Sequence, residues 1–469
     1  EQYPKLTEYR WHAIKYLVMD KTVEEQYPLD TSDIIDRSYE KDIINQKYDF
    51  IEEVIDEILV NKARKEASTD RIDHYLTHRW LGLPIFLGIM ALVFFLTFTI
   101  GDWLKGYFEI ALEQFSAFAE NGLGALHVNP MLRSLIIDGV ISGVGGILTF
   151  LPNIFILFLA LALLEDSGYM ARVAFVMDDI MSRLGLSGRA FLPLLLGFGC
   201  SVPAIMASRA LEHRRDRFKT ILITPFMSCS ARLPIYVLFS SMFFGKYAMI
   251  VCYSMYLLGI IVAIVTAFLL SRIDGSKAEH ALLIELPEYK SPNARTILIY
   301  VWEKIKDYLT KAGTVIFIAS VIMWGLLNFG PHGYVTDITQ SFGSLAGKAV
   351  VPLFKPAGLG YWQIIVALIA GIAAKEVVVS SCSVLFGIQN ITTANGMSAM
   401  VATLNSIGFG AANAYALMVF CLLYVPCTAT IATIHRELDS WKSTFGILAF
   451  QILTAWGMSA AVYHIGLLF

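Results

Sequence analysis

Seven stretches of this chain carry no Asp, Glu, Lys or Arg: residues 80–101, 140–164, 190–208, 247–271, 312–330, 356–374 and 444–469. Each approaches or exceeds the roughly 20 residues a helix needs to cross about 30 Å of hydrocarbon. A bilayer core offers no water to backbone N–H and C=O groups, so such stretches persist there only as self-bonded helices. This feature predicts an all-α, polytopic membrane protein with about eight membrane segments. Composition agrees, since 56% of the 469 residues are hydrophobic and 16% charged, against about 25% charged in soluble domains. A net charge of −3 says nothing about nucleic acid, and no such partner is expected. The six cysteines lie in or beside apolar stretches, which reads as packing thiols or soft ligands rather than a secreted disulfide framework.

Two regions follow from the charge pattern. Residues 1–75 are polar, with no apolar leader, so no signal peptide is expected. Within them Tyr48–Arg64 reads as an amphipathic helix, with Ile51, Val54, Ile55, Ile58 and Leu59 on one face. The segment is too sparse in apolar residues for an independent domain and reads as the end of something larger. Residues 76–469 form the membrane region. Lys62, Arg64, Lys65, Arg71 and Arg79 precede its first helix and put the N-terminus in the cytoplasm. Gly101–Pro130 sets Asp102, Glu109, Glu113 and Glu120 against Lys105 and fits the outside. Arg209, Arg214, Arg215, Arg217 and Lys219 mark a cytoplasmic turn; Arg272, Lys277, Lys290, Arg295, Lys304, Lys306 and Lys311 mark another. Val377–Ile434 is uncharged, and its Asn-, Thr- and Gly-rich middle, Gln389–Ala411, reads as a loop.

The membrane region also repeats, over about 80–272 and 308–469. Cys200 precedes Arg209 by nine residues, and Cys427 precedes Arg436 by nine, an offset of 227. Internal duplication of this kind is typical of transporters whose site lies where the repeats meet.

Gly197-Phe198-Gly199-Cys200-Ser201-Val202-Pro203 interrupts an uncharged stretch. Gly frees the backbone and Pro removes a donor, so the helix breaks there, and a broken helix at membrane depth lines a cavity or is buried. The plain alternative is a Pro kink with a small packing thiol. A second string, Ser228-Cys229-Ser230-Ala231-Arg232-Leu233-Pro234, lies as far beyond the basic turn as Cys200 lies before it. A helical hairpin would bring both thiols to one depth, about 13 Å from Arg209. Val425-Pro426-Cys427-Thr428 reaches the same depth by the repeat. Three carboxylates join them: Glu165 and Asp166 close an apolar helix, and Glu376, after Lys375, sits within one. Intramembrane acids are costly and point to function, although a solvated helix end would account for the first pair. Thiolate, carboxylate and freed carbonyl together suit a divalent first-row metal better than Na⁺, Mg²⁺ or a sugar.

The expected metal residues are therefore Cys200, Cys229, Cys427, Glu165, Glu376 and Asp166. Gly199, Ser201, Pro203, Met206, Ser230, Pro426, Thr428 and Cys382 are expected to gate or line the path. His213 and His435 flank the basic turns, as solvated side chains or as metal acceptors at the mouth. No His-Glu-x-x-His helix is present, and Gly343–Ala349 is too short between its glycines for a phosphate loop.

Gly197–Arg209 (GFGCSVPAIMASR), Glu165–Phe175 (EDSGYMARVAF), Cys229–Pro234 (CSARLP), and Tyr424–Thr430 with His435-Arg436-Glu437 resemble the ferrous iron transport protein B family, and the first and last of these strings look like its paired Gate motifs. The resemblance spans essentially the whole chain. It implies a bacterial or archaeal inner-membrane importer of Fe²⁺, with a metal path through Cys200, Cys229, Cys427, Glu165 and Glu376. It also implies a GTP-binding domain ahead of the membrane region, with residues 1–75 as the tail of its helical spacer. The chain holds no phosphate loop or guanine-recognition motif, so no nucleotide site is expected in it. Expected partners are Fe²⁺, the lipid bilayer, a GTPase domain and a small accessory protein on the cytoplasmic side. The sequence is also compatible with a homo-oligomer. Two other readings stay open: a Na⁺- or H⁺-coupled carrier of a nucleoside-like solute held by Ser201, Thr428 and Thr430, and a membrane scaffold or sensor without flux.

Overall fold

The computed structural model describes residues 9–18, 39–58, 67–78, 81–211, 213–274, 289, 292–335, 338–388 and 394–468, with Val23 and Tyr27. These are almost wholly helical, as the charge-free stretches predict; the only strands among them are Phe329–Gly330 and Gly333–Tyr334, one short antiparallel hairpin. Among the described residues four helical stretches are long and apolar enough to cross a membrane, or six if each of two bent pairs counts as one span. Length alone falls short of eight for two reasons. Arg214–Ile273 counts as one stretch although the chain turns at Gly245–Tyr247 and packs Leu233–Phe244 on Ala248–Asp274. Several broken segments are pieces of 6 to 12 residues that cannot cross alone.

The longest helix, Gly82–Ala125, has 44 residues and so reaches about 66 Å, twice the hydrocarbon thickness. Its apolar half and the acidic stretch after Gly101 are thus one rod. Phe86, Met90, Val93, Thr97 and Gly101 are its buried stripe. Gly101 is where it touches Ser142–Asp166, since a Cβ there would run into the Asn153 side chain. After Asp166 the chain bends by 84° into the amphipathic helix Tyr169–Arg183, with Gly168 at φ +81°, a backbone region glycine adopts without a steric penalty.

That bend anchors the polar N-terminal region. Asp73, on the helix Ala67–Leu76, accepts hydrogen bonds from Arg172 Nε (3.0 Å) and Nη2 (3.1 Å) and from the Tyr289 hydroxyl (2.6 Å). The Arg172 guanidinium also lies 4.0 Å from the Tyr289 ring centroid. Arg172 is 1% exposed, so this bidentate pairing and the stacking compensate a charge removed from water.

Three expectations change. The amphipathic helix runs over Glu40–Ile58, starting eight residues earlier than Tyr48; its proposed end, including Leu59, Lys62 and Arg64, lies outside the described residues, as do Lys65, Arg79, Lys277 and Lys290. Gln389–Ala411 is not a loop throughout: Ala394–Ser406 is a helix with Met400 and Leu404 fully buried, because its Ala, Met and Leu residues favour helix and bury one face. Residues 389–393 lie outside the described residues. Glu376 does not sit within a helix but at the N-cap of Val377–Leu385, just past a break at Ala374.

Candidate metal path

Four segments break at comparable points, and the candidate ligands stand at the breaks. Phe191–Leu196 ends in Gly197-Phe198-Gly199, and Cys200 (φ −151°, ψ 131°) is the N-cap of Ser201–Ala207. Pro203 falls in the first turn of that new helix, where its missing N–H costs nothing. Cys229 (φ −75°, ψ 160°) caps the turn Ser230–Arg232, which leads into Leu233–Phe244. Cys427 (φ −61°, ψ 157°) caps Thr428–Leu438 after Pro426. Glu376 caps Val377–Leu385. All four thus occupy helix N-caps, where aligned N–H dipoles favour negative charge; a thiolate or carboxylate holding a cation carries that charge.

Cross-bonds reveal how the halves correspond. Ser230, the residue after Cys229, donates through its N–H (3.3 Å) and hydroxyl (3.1 Å) to the Gly199 carbonyl, the residue before Cys200. Thr428, the residue after Cys427, donates its hydroxyl to the Ala373 carbonyl at 3.3 Å, the residue before Ala374. Ala374 has φ −150° and ψ 135°, matching Cys200. Cys229 therefore corresponds to Cys427, and Cys200 to Ala374. Counting from the basic turns pairs Cys200 with Cys427 instead, because both lie nine residues from an Arg while belonging to different breaks.

The breaks enclose a cavity of about 200 Å³. Cys200, Cys229, Cys427 and Glu376 line it, with Gly199, Ser201, Ser230 and Pro426. The structure thus brings together three thiols and one carboxylate from both halves. Among the described residues no three His, Cys, Asp or Glu side chains are close enough to hold a metal as they stand, so the thiols form a wall rather than a closed coordination shell.

The other expected residues lie elsewhere. Glu165 and Asp166 are exposed at the 84° bend; Asp166 accepts the Asn293 backbone N–H at 2.8 Å. Cys382 is fully buried in the main core. Pro203 is buried behind Cys200, and Thr428 is spent on Ala373. Met206 packs with Val202, Ala429, Tyr308, Cys200 and Cys427 in a small apolar cluster beside the thiols. His213 and His435 do not line the cavity; His435 stacks on Trp441 with ring centroids 3.9 Å apart.

Sequence reasoning missed several lining residues. Tyr308 opens a π-helical turn, Tyr308–Ala312, a distortion found often at functional sites. Asn153 donates to Asp102 at 2.8 Å and ties the cavity wall to the acidic end of the long helix. Thr430, expected only as a contact for an organic solute, lines the cavity 3.1 Å from the Cys427 sulfur. Two cations also line the cavity, both buried: Arg232, 1% exposed, donates Nη1 to the carbonyls of Pro225 (2.9 Å) and Met227 (3.1 Å). Lys375, 3% exposed, donates to the Val425 carbonyl at 2.5 Å with its ammonium 3.1 Å from the Tyr424 ring centroid.

Beyond the apolar cluster the ends of two broken segments are tied together. Glu437, with 1% of its side chain exposed, pairs with Arg209 and Arg217. The basic turn is thereby partly neutralised where it meets the end of Thr428–Leu438.

Comparison with known proteins follows the same residues. A family model described as nucleoside recognition (Gate) matches residues 147–243 and again 309–441. A second, ferrous iron transport protein B C terminus, matches 252–304. The chain is 43% identical over 407 residues to the Fe(2+) transporter FeoB of Staphylococcus aureus, covering 86% of this chain and 60% of that protein. It is 37% identical over 480 residues to the Fe(2+) transporter FeoB of Methanocaldococcus jannaschii, covering 97% and 70%. A fusion of Fe(2+) transport protein A with Fe(2+) transporter FeoB in Porphyromonas gingivalis is 36% identical, covering 92% and 56%. No solved structure matches. The chain thus spans about 60% of the length of the S. aureus relative, and both copies of the Gate model fall on the broken segments that build the cavity. With 37% identity across nearly the whole of its length to a protein of which it covers 70%, the chain belongs to the ferrous iron transport protein B family.

Proposed function

We propose that this membrane region conducts Fe²⁺ through the cavity between its two halves. The observation that carries the proposal is the convergence of Cys200, Cys229, Cys427 and Glu376 on one cavity, a donor set suited to a borderline first-row dication. The names of the relatives, Fe(2+) transporters, support the same substrate. Hydrated Fe²⁺ would approach along the acidic outer part of Gly82–Ala125, where Asp102 joins the cavity wall through Asn153. Glu376 would accept it first, at a helix N-terminus exposed to the charges of Lys105 and Glu109. The thiols would then replace water one at a time; an unclosed shell favours passage over retention, since conduction needs binding weak enough to release.

Exit would require the Val202–Ala429–Tyr308 packing and the Arg209–Glu437 contact to part. Those two contacts form the closed cytoplasmic gate, and movement of Ser201–Ala207 against Thr428–Leu438 opens it. In this reading the N-terminus is cytoplasmic, the membrane is the inner membrane of a prokaryote, and residues 1–75 transmit the state of a GTPase domain through Asp73 and Arg172. An accessory protein on the same side is in keeping with the fused relative. Glu165 and Asp166 would serve the bend rather than the path.

A second reading, transport of a nucleoside-like solute, is favoured by the description of the Gate model and by the cavity volume. Purified protein in liposomes separates the readings. Fe²⁺ entry reported by an internal chelating dye, without uridine entry, supports the metal path. Uridine entry that survives Cys200→Ser supports the solute reading, and no flux of either leaves a scaffold.

A further inference from the structure

The break at Ala374 has less local cause than the others. Gly371 lies three residues ahead of it, as Gly197 lies ahead of Cys200, but no second glycine and no proline follow, and Ala373-Ala374-Lys375-Glu376 are strong helix formers. The other breaks have Gly197 and Gly199, Pro225 or Pro426 at hand. A tie from outside the segment helps hold the chain open at Ala374, and Lys375 is the residue that reaches out. Its ammonium crosses to the Val425 carbonyl, 50 residues on, and lies over the Tyr424 ring. An intact helix would aim residue 375 elsewhere and leave the Val425 carbonyl, freed by Pro426 and Cys427, without a donor.

The same arrangement occurs in the first half by a different route. Arg232 donates to the Met227 carbonyl, and Met227 stands two residues before Cys229, as Val425 stands two residues before Cys427. By the correspondence of the breaks, Lys375 matches Ser201 and Arg232 matches Thr430. The two cations thus come from non-equivalent positions, yet they converge on equivalent carbonyls. Descent from a common repeat explains equivalent residues; it does not explain this convergence, which a shared physical requirement does.

We propose that Lys375 and Arg232 are positioning residues, each clamping the carbonyl two residues ahead of a cavity cysteine and so fixing where Cys427 and Cys229 face. The clamp also accounts for two basic side chains in the wall of a cation's cavity. Each is turned onto carbonyls that would otherwise bind the passing metal too firmly, leaving the thiols and Glu376 as its partners. A buried charge is costly unless paired, so the cations stay only where those carbonyls are. What the clamp is for rests on the cavity being a metal path; the clamp's geometry does not.

The test therefore reads thiol position without metal. Chains keeping only Cys427 or only Cys229, the other five cysteines replaced by Ser, are modified in detergent with a small charged methanethiosulfonate. Lys375→Met should change the Cys427 rate by about tenfold or more while leaving Cys229 within about twofold, and Arg232→Met should do the reverse. An unchanged Cys229 rate also reports that Lys375→Met is folded. Should Lys375→Met not purify as a single species, Lys375→Gln, which keeps an N–H donor but no charge, is read by the same two rates. Methylammonium supplied to Lys375→Ala should return the Cys427 rate toward that of the parent, which a general packing defect would not allow. Equal changes at both cysteines, or none, overturn the proposal. Failure of the metal reading alone would appear differently, as Fe²⁺ flux indifferent to Cys427→Ser with the labelling pattern intact.

Discussion

Glu437 receives the Nε of Arg209 at 2.8 Å and 2.9 Å on its two oxygens, although 228 residues separate them. The contact joins the turn after Ser201–Ala207 to the end of Thr428–Leu438, the two helices that Cys200 and Cys427 precede. Glu437 also pairs with Arg217 and has 1% of its side chain exposed, whereas Arg209 and Arg217 have 46% and 29% exposed. Glu437→Gln leaves two guanidinium groups facing a neutral amide. Removing one partner of a buried pair costs about 3–5 kcal/mol, but solvent at both arginines screens part of that, so about 1–2 kcal/mol is expected. Hydrogen exchange should report it as faster opening at the end of Thr428–Leu438, with little change in Trp441–Gly466. Equal exchange in parent and variant would show that the pair does not hold the gate.

The Asp73 junction gives a prediction about pH. Burial alone would raise the Asp73 carboxyl, but hydrogen bonds from Arg172 and Tyr289, together with the Arg172 charge, outweigh it and hold the group below its ordinary value. Burial and the bond to Asp73 push the Tyr289 phenol well above its usual range. A carboxyl depressed in the folded state contributes stability that is complete above the unfolded value, about 3.9, and is lost as pH falls through the folded value. Protection of Ala67–Leu76 should hold from pH 7 to pH 5 and decline only below about pH 4. Asp73→Asn should lower that protection at pH 7 by about 2 kcal/mol, because Arg172 remains buried without its anion. A loss of protection between pH 7 and pH 5 in the parent would mean that another group holds the junction.

Several features of the site were legible in the sequence. Counting nine residues inward from Arg209 and Arg436, and reflecting Cys200 through the basic turn, selects the three cysteines that line the cavity. Cys382 carries no signal that distinguishes it, since a thiol in an apolar window reads alike whether it packs in a core or faces a path. Glu165 and Asp166 end a hydrophobic helix, and a sequence cannot separate a bend from a solvated end. Lys375 is harder still: its partner lies 50 residues away with no periodicity to link them, and four good helix formers conceal the break. The helix Ala394–Ser406 was hidden by its Asn, Ser and Gly content, although Met397, Met400 and Leu404 follow a helical spacing.

Correspondence between Cys200 and Ala374 predicts what a fourth thiol would do. Ala374 lines the cavity and shares the Cys200 backbone conformation, so Ala374→Cys adds a sulfur without strain. Four thiolates are the number that closes a tetrahedral shell for a divalent metal, so once the wall draws in around a metal it would become a trap. Co²⁺ added to purified Ala374→Cys should give thiolate charge-transfer absorption of higher intensity and about tenfold tighter binding than the parent, while Fe²⁺ uptake slows. Identical Co²⁺ spectra would mean that the two breaks do not face one another as the cross-bonds imply.

The most direct test is anaerobic Fe²⁺ uptake by cells lacking other ferrous importers, with each variant matched for amount in the membrane. Cys200→Ser, Cys229→Ser, Cys427→Ser and Glu376→Gln should each lower uptake by about tenfold or more, because each removes a donor from the cavity wall. Cys382→Ser and Cys421→Ser, both in the fully buried core, should keep uptake within about threefold once amounts are matched. Parent-level uptake in the first four variants would contradict the metal path and reduce the three cavity thiols to packing.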